Sequence, residues 1–203
     1  MSQKTLDLRL LTHLTMNIVN VGFQSTNYYV IDIKGGKLLI DCGWPGTLPQ
    51  FLAELKRKNI SIQDIKYLLV THFHPDHAGL TQELKRLGVK HILMDVQVNF
   101  ISQMIEFFKT KNYPYIEITT NDSINLKVGE SRKFLVGIGL QGEIIHTLGH
   151  SDDSVTLILD EGFAFTGDLH PALMLTEEDN ASWTSWDTIQ QHNVKTIFPG
   201  HGK

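Results

Sequence analysis

The feature that most constrains this chain is residues 71–77, which read T-H-F-H-P-D-H and follow a short apolar run. In an extended segment, side chains two residues apart share a face, so His72 and His74 can present imidazole nitrogens to one metal ion. Asp76 and His77 lie beyond a proline, where the chain must turn, which suits a second ion beside the first. Imidazole and carboxylate ligands around divalent metal, with a position left for water, are typical of a hydrolytic centre.

Three later turns supply further candidate ligands, each after a short apolar run. They are His150 in G-H-S, Asp168 in G-D and His201 in P-G-H-G. His150 would complete a three-imidazole set with His72 and His74, and a lone carboxylate at a strand end can bridge two cations. Such a pattern is expected when site residues lie on loops at one edge of a sheet.

In their order, these motifs resemble those of the metallo-β-lactamase fold superfamily. The resemblance spans most of the chain and is carried by residues 39–43 (L-I-D-C-G), the H-x-H-x-D-H segment, His150, Asp168 and His201. It implies an α/β fold, a four-layer αβ/βα sandwich of two mixed sheets flanked by helices. The implied metal ligands are His72, His74 and His150 for one ion, Asp76, His77 and His201 for the second, and Asp168 between them.

Within the superfamily, the glyoxalase II-like and lactonase-like branches are the most similar. Residues 147–150 read T-L-G-H where those branches usually have T-P-G-H, which removes a proline but no ligand. Only two residues follow His201, so the C-terminal helical substrate domain of glyoxalase II is not expected. The acyl partner therefore stays undefined.

The resemblance implies a dinuclear hydrolase of an ester-like bond, such as a thioester or a lactone, in a small molecule. Asp76 is the candidate catalytic residue, because it would hold the second metal and shuttle a proton to the leaving group. Zinc suits the ligands best, with iron or manganese as alternatives. A mono-iron persulfide dioxygenase and a non-catalytic metal-binding module of the same fold are the competing hypotheses.

The bulk properties restrict the partners of the chain. Its 203 residues are expected to form a single domain, residues 1–203. A net charge of −4 gives no general attraction to nucleic acid. The lone Cys42, the absence of an apolar leader in residues 1–7 and the absence of a membrane-length apolar run predict a cytoplasmic protein without a membrane partner. A homodimer is an open alternative.

Periodicity predicts alternating strands and helices along the chain. A hairpin is expected around Gly35 and Gly36, and short strands are expected before each ligand-bearing turn. Further strands are predicted at 66–70, 89–94, 115–118, 124–128 and 134–138, and helices at 49–58, 78–87, 97–109 and 183–192.

Several other residues have two interpretations. Asp41 is interpreted as a carboxylate that orients a ligand, rather than a strand cap. Cys42 is interpreted as a small buried residue rather than a nucleophile or ligand. His170 is either a substrate contact or a surface histidine. The helix carrying Phe100 to Phe108 is expected to face the core, with a wall over the metal site or a dimer contact as alternatives. His146 is given a structural role or a role in supporting a ligand, and His13, His91 and His192 are interpreted as ordinary.

Overall fold

Two sheets with helices outside them form the fold of residues 16–111 and 113–202, the part of the chain that the computed structural model describes. Predictions that concern residues 1–15, including His13, the absent leader and the full extent of the single domain, lie partly or wholly outside this part. The strands are β1 Ile18–Asn20, β2 Tyr29–Ile33, β3 Gly36–Ile40, β4 Ile65–Leu69, β5 Lys90–Met94, β6 Ile124–Leu126, β7 Gly142–His146, β8 Val155–Leu159, β9 Phe163–Gly167 and β10 Thr196–Pro199. The helices are α1 Leu48–Arg57, α2 Pro75–Ala78, α3 Thr81–Arg86, α4 Phe100–Lys111, α5 Ser131–Gly137 and α6 Asn180–Gln191.

Both sheets are mixed. The first has the strand order β1-β2-β3-β4-β5-β6, and the second has the order β10-β9-β8-β7. The hairpins β2/β3 and β7/β8 are antiparallel, whereas β3/β4, β4/β5, β5/β6 and β9/β10 are parallel. The carboxyl ends of β4 and its parallel neighbour β3 therefore lie at one edge of their sheet, and those of β9 and β10 lie together at one edge of the other.

The core has three parts because each sheet is covered on both faces. Leu69 of β4 packs between the two sheets with Leu157 and Phe165 of the second sheet. The neighbouring Leu68 points to the opposite face, where it joins the cluster that contains residues of α1, α3 and α4. Trp186 of α6 covers the outer face of the second sheet. This alternation explains the nearly continuous apolar strands, and the predicted four-layer sandwich is confirmed.

The helices follow from local sequence. In α1 a proline in the first turn is favourable, Phe51 and Leu55 are buried four residues apart, and Lys56 and Arg57 lie at the negative end of the helix. None of the helices in residues 16–111 and 113–202 combines the length and the apolar character that crossing a bilayer requires.

Two predicted strands are wrong. Residues 134–138 lie mostly in α5, where Leu135 is buried and Val136 is exposed, because a short apolar run fits a helix as well as a strand. Residues 115–118 contain no strand; Tyr115 stacks on Phe108 at 4.2 Å between ring centroids and leaves the segment outside both sheets.

The predicted helix at 78–87 is also wrong in its bounds. The structure has the short helix α2, which begins at Pro75, and a separate helix α3, which begins at Thr81. Proline is favourable at the first position of a helix, so the residue interpreted as a turn starts α2 instead. As a result, Asp76 and His77 lie on the helical turn that directly follows His74.

Candidate metal centre

The site lies at the edge where strands of both sheets end. His72 and His74 follow β4, and His74 is the residue before the first helical position of α2. His150 lies in the loop between β7 and β8, and Asp168 directly follows β9. His201 follows β10. The structure thus brings all seven predicted ligands together from four segments of the chain.

Three imidazoles form the first ligand group. His72, His74 and His150 each offer a ring nitrogen, and these atoms lie within 4.8 Å of one another. His74 Nδ1 and His150 Nε2 are 3.0 Å apart. The rings of His72 and His74 are tilted by 74°, so they converge edgewise and do not stack.

The second group combines two imidazoles with a carboxylate. Asp76, His77 and His201 also place their ligand atoms within 4.8 Å of one another. Asp76 Oδ2 lies 3.5 Å from His77 Nε2 and 3.2 Å from His201 Nε2. The charge on this group differs from that of the first, because only here is one of the three donors anionic.

Asp168 lies between the two groups. Its Oδ2 atom is 3.9 Å from His72 Nε2, 3.6 Å from His150 Nε2 and 3.3 Å from His201 Nε2. Its Oδ1 atom is 3.2 Å from His77 Nε2. One carboxylate therefore contacts ligands of both groups.

The donor atoms are spaced as ligands around a metal ion would be. Ligands at the roughly 2.0–2.1 Å typical of zinc–nitrogen bonds are about 3.3 Å apart around a tetrahedral ion, as at this site. His72 Nε2, His77 Nε2 and Asp168 Oδ1 are buried and have no hydrogen-bond partner. Buried polar atoms are rarely left without a partner unless an ion or water satisfies them. The residues present thus fit divalent metal ions.

The pKa directions at the site agree with this fit. Burial disfavours the charged form of His77, but the carboxylates of Asp41 and Asp168 outweigh burial and raise the pKa of His77 to about 10. Burial also opposes ionisation of Asp168, but the imidazoles of His77, His201 and His150 hold its pKa below the usual value. The carboxylates therefore require positive charge in this position, which a metal ion can supply in place of a proton.

Asp41 orients a histidine from each group. Its buried carboxylate accepts hydrogen bonds from the backbone and hydroxyl of Thr71 at 2.7 and 2.8 Å and from His77 Nδ1 at 2.8 Å. Since the single hydroxyl proton of Thr71 goes to Asp41, we assign Thr71 Oγ1, 3.1 Å from His72 Nδ1, as the acceptor of that ring's proton. Both rings then face the site through Nε2. These hydrogen bonds agree with the orienting role predicted for Asp41.

We expect Asp41→Asn to weaken metal binding by about 10–100-fold, because the amide cannot accept hydrogen bonds at both of the positions where the carboxylate does. Titration of the chelator-treated protein with zinc would measure the change. Asp64→Asn is the matched control, since Asp64 is exposed at the opposite end of β4. Equal zinc affinity in the Asp41→Asn variant and the unchanged chain would contradict the orienting role.

Sequence reasoning missed two supports from the N-terminal loop. Thr26 Oγ1 donates a hydrogen bond to Asp76 Oδ2 at 3.0 Å. The carbonyl of Ser25 accepts one from His201 Nδ1 at 2.8 Å, which leaves His201 Nε2 for the site. Neither residue belongs to a motif, and the partners are 50 and 176 positions away, so the sequence carried no signal for them.

Asp153 was missed as well. Its buried carboxylate accepts a hydrogen bond from the backbone of Phe73 at 2.7 Å and another from Ser151 at 2.8 Å. It thereby joins the loop of His150 to the segment of His72 and His74. Gly200 brings the backbone before His201 close to Asp168. A Cβ atom at position 200 would lie only 2.3 Å from Asp168 Oδ1.

The remaining candidates have clear positions. Cys42 is buried, and its thiol donates to the carbonyl of His77 at 3.3 Å, so its predicted role as a small buried residue is confirmed. His170 is exposed, with its ring 5.9 Å from that of His150. His146 donates to the carbonyl of Asp152 at 2.8 Å and supports the His150 loop, as predicted.

Two other histidines lie away from the ligand groups. His91 is wholly buried, and burial with the nearby Lys85 lowers its pKa to about 3; the interpretation of this residue as ordinary overlooked a core position. His192 is half-buried, 3.7 Å from Glu143.

Two clefts meet at His150. The larger, of about 590 Å³, extends from His74 and His150 toward α4. The smaller, of about 190 Å³, contains Asp168, His170 and His201. Helix α4 has both predicted roles, because Ile101, Met104 and Phe108 are buried in the core while Phe100 and Phe107 line the larger cleft.

The sequence itself matches one family over almost its whole length. A family model described as the metallo-beta-lactamase superfamily matches residues 21–201. The chain belongs to the metallo-beta-lactamase superfamily. The resemblance that the sequence motifs carry is thereby confirmed.

Curated relatives agree with membership of the metallo-beta-lactamase superfamily. A beta-lactamase-like protein 2 homolog of Drosophila melanogaster is 28% identical over 94% of this chain and 66% of its own length. An atrochrysone carboxyl ACP thioesterase of Claviceps purpurea is 30% identical over 96% of this chain and 56% of its own length. The chain thus spans about half to two thirds of the curated relatives it matches.

Solved structures show the same metallo-beta-lactamase fold. A metallo-beta-lactamase family protein from Thermus thermophilus has a TM-score of 0.70 and 19% identity, covering 93% of this chain and 73% of the other. A native metallo-beta-lactamase from Legionella gormanii has a TM-score of 0.67 and 22% identity, covering 91% and 76%.

Proposed function

We propose that this chain is a dinuclear metal-dependent hydrolase that cleaves a thioester, lactone or related carbonyl bond in a small molecule. The observation that carries the proposal is the pair of three-residue ligand groups with Asp168 between them. His72, His74 and His150 would hold one ion, and Asp76, His77 and His201 would hold the other. Zinc is the proposed metal, since imidazole and carboxylate ligands suit it.

When bound, two divalent ions would supply positive charge that lowers the pKa of water and polarises a carbonyl. The chain's own groups would do the rest. Asp168 holds negative charge between the two groups, and Thr26 fixes one oxygen of Asp76 by donating a hydrogen bond to it. Asp76 would accept a proton as water attacks the carbonyl carbon and would return it to the departing sulfur or oxygen.

The choice of an ester-like substrate is supported by relatives and by charge. Several relatives at 26–30% identity are named as thioesterases or as a lactamase-like protein. Within residues 16–111 and 113–202, those that line the two clefts include no Lys or Arg, and the chain carries a net charge of −4. A nucleic-acid backbone would therefore find little to bind here.

We expect the zinc-loaded protein to hydrolyse members of a panel of acyl-glutathione thioesters, acyl-homoserine lactones and simple esters, and to leave single-stranded RNA uncut. Release of thiol, acid or alcohol measures the activity. The chelator-treated protein is the control, and readdition of zinc should restore turnover.

Other outcomes would separate the competing hypotheses. Oxygen uptake with glutathione persulfide by the iron-loaded protein, without cleavage of any carbonyl substrate, would favour the dioxygenase. Stable metal binding with neither activity would favour a non-catalytic module. Cleavage of RNA would contradict the small-molecule substrate.

A further inference from the structure

Apart from His74 and His150, the residues that line the larger cleft are not among the predicted metal ligands. We propose that it binds an uncharged, apolar acyl group of the substrate and directs the acyl carbonyl toward His74 and His150. This inference rests on the proposed hydrolase function and specifies its substrate. It depends on the walls of the cleft, on their charge and on the connection of the cleft to the ligands.

The walls include five apolar side chains. Phe73 and Pro75 of the ligand segment form one side, and Phe100, Met104 and Phe107 of α4 form the other. A volume of about 590 Å³ is in the range of small-molecule pockets. Phe107 keeps 39% of its surface exposed while its neighbour Phe108 is buried at 2%. An apolar ligand in the cleft would remove this aromatic surface from water, which is favourable.

The charge of the cleft excludes an anionic acyl group. Among the described residues that line it, the charged side chains other than histidine are the acidic Asp152 and Asp153. Asp153 is buried and already engaged by Phe73 and Ser151. A carboxylate or phosphate on the acyl chain would therefore meet negative charge and no cationic side chain. Gln103 of α4 is an uncharged polar residue that also lines the cleft.

The connection to the ligands sets the direction of the substrate. His74 and His150 line the larger cleft, and His150 also lines the smaller cleft with Asp168, His170 and His201. A substrate that spans both clefts would place its scissile bond beside these ligands. The larger cleft offers more room and the aromatic side chains of α4 to the acyl part, and the smaller cleft leaves the other side for the leaving group.

Substrates that share one leaving group isolate the acyl contribution. We expect kcat/KM of the zinc-loaded protein to be about tenfold or more higher for p-nitrophenyl hexanoate than for the acetate. The mono-p-nitrophenyl ester of adipic acid, which has the same chain length with a terminal carboxylate, should be hydrolysed about tenfold or more slowly than the hexanoate.

A variant tests whether the preference for the longer acyl chain arises in the larger cleft. Phe107→Asp should lower kcat/KM for the hexanoate about tenfold or more and change that for the acetate by less than about threefold. Val136→Asp is the matched control, because Val136 is an exposed apolar residue of α5 outside both clefts. If thermal unfolding shows that Phe107→Asp is much less stable than the control, Phe107→Ser, which adds no charge, takes its place with the same expectation.

A ligand that cannot be hydrolysed allows the acyl cleft to be tested separately from the hydrolase proposal. The uncharged ketone 2-octanone has an acyl chain and a carbonyl but no scissile bond. It should bind the unchanged protein and Val136→Asp equally in a calorimetric titration, and Phe107→Asp about tenfold more weakly.

The outcomes then separate. If no ester is cleaved but 2-octanone binds in a manner that depends on Phe107, the hydrolase proposal fails and the acyl cleft stands. If esters are cleaved with no preference for the longer chain, or if Phe107→Asp affects acetate and hexanoate equally, the acyl cleft is wrong and the hydrolase proposal stands.

Discussion

Replacement of Asp76 by Asn is expected to lower hydrolysis of the preferred carbonyl substrate by roughly 10²–10⁴-fold, the usual contribution of a positioned proton-transfer group. The amide keeps the size of the side chain and one oxygen donor, but it cannot take up a proton. Thr26 Oγ1 lies 3.0 Å from the carboxylate and should still contact it, so the loop keeps its place.

The measurement needs turnover and metal content from the same sample. Asp152→Asn is the matched control, because it makes the same change on an exposed carboxylate that lines the larger cleft and has no proposed role in proton transfer. An Asp76→Asn protein with full metal content and unchanged turnover would remove Asp76 from the mechanism.

Replacement of Asp168 by Ala should damage both ligand groups at once. Its two oxygens contact His77 and His201 on one side and His150 on the other, at 3.2–3.6 Å. Two cations held close together repel each other, and a carboxylate between them offsets that repulsion. We therefore expect metal content to fall from about two equivalents to well below one after dialysis.

The metal content of Asp168→Ala is compared with that of two further variants. His201→Ala should weaken chiefly the group of Asp76 and His77, so about one equivalent should remain. Asp187→Ala, an exposed carboxylate on α6, should keep the full metal content. If Asp168→Ala binds both ions as tightly as the unchanged chain, the bridging assignment is wrong.

The clustering of the candidate ligands was predictable from the sequence because each lies in a short motif after an apolar run. A period of two puts His72 and His74 on one face, and Pro75 signals the change of direction before Asp76. The residues that hydrogen-bond to the candidate ligands and their segments were not predictable in this way. Thr26 and Asp153 reach their partners across 50 and 80 positions, and no local pattern marks a residue for so distant a contact.

The strands were predictable where hydrophobic burial decides the structure, as in β4, where Leu68 and Leu69 serve opposite faces of one sheet. The errors arose where a local pattern fits two structures. Residues 134–138 are apolar enough for a strand, but contacts of Leu135 with the core select a helix. In residues 115–118, packing of Tyr115 on Phe108 replaces strand pairing.

Hydrogen bonds between the N-terminal loop and the segment of His201 have a consequence for the order in which the site forms. Asn27 donates to the carbonyls of Pro199 and Gly202, and Ser25 accepts from His201, all across more than 170 positions. On a ribosome, His201 is added 129 residues after His72, which takes on the order of ten seconds. The early imidazoles are therefore made well before the centre can close, and metal captured before then meets an incomplete, more weakly binding set of ligands.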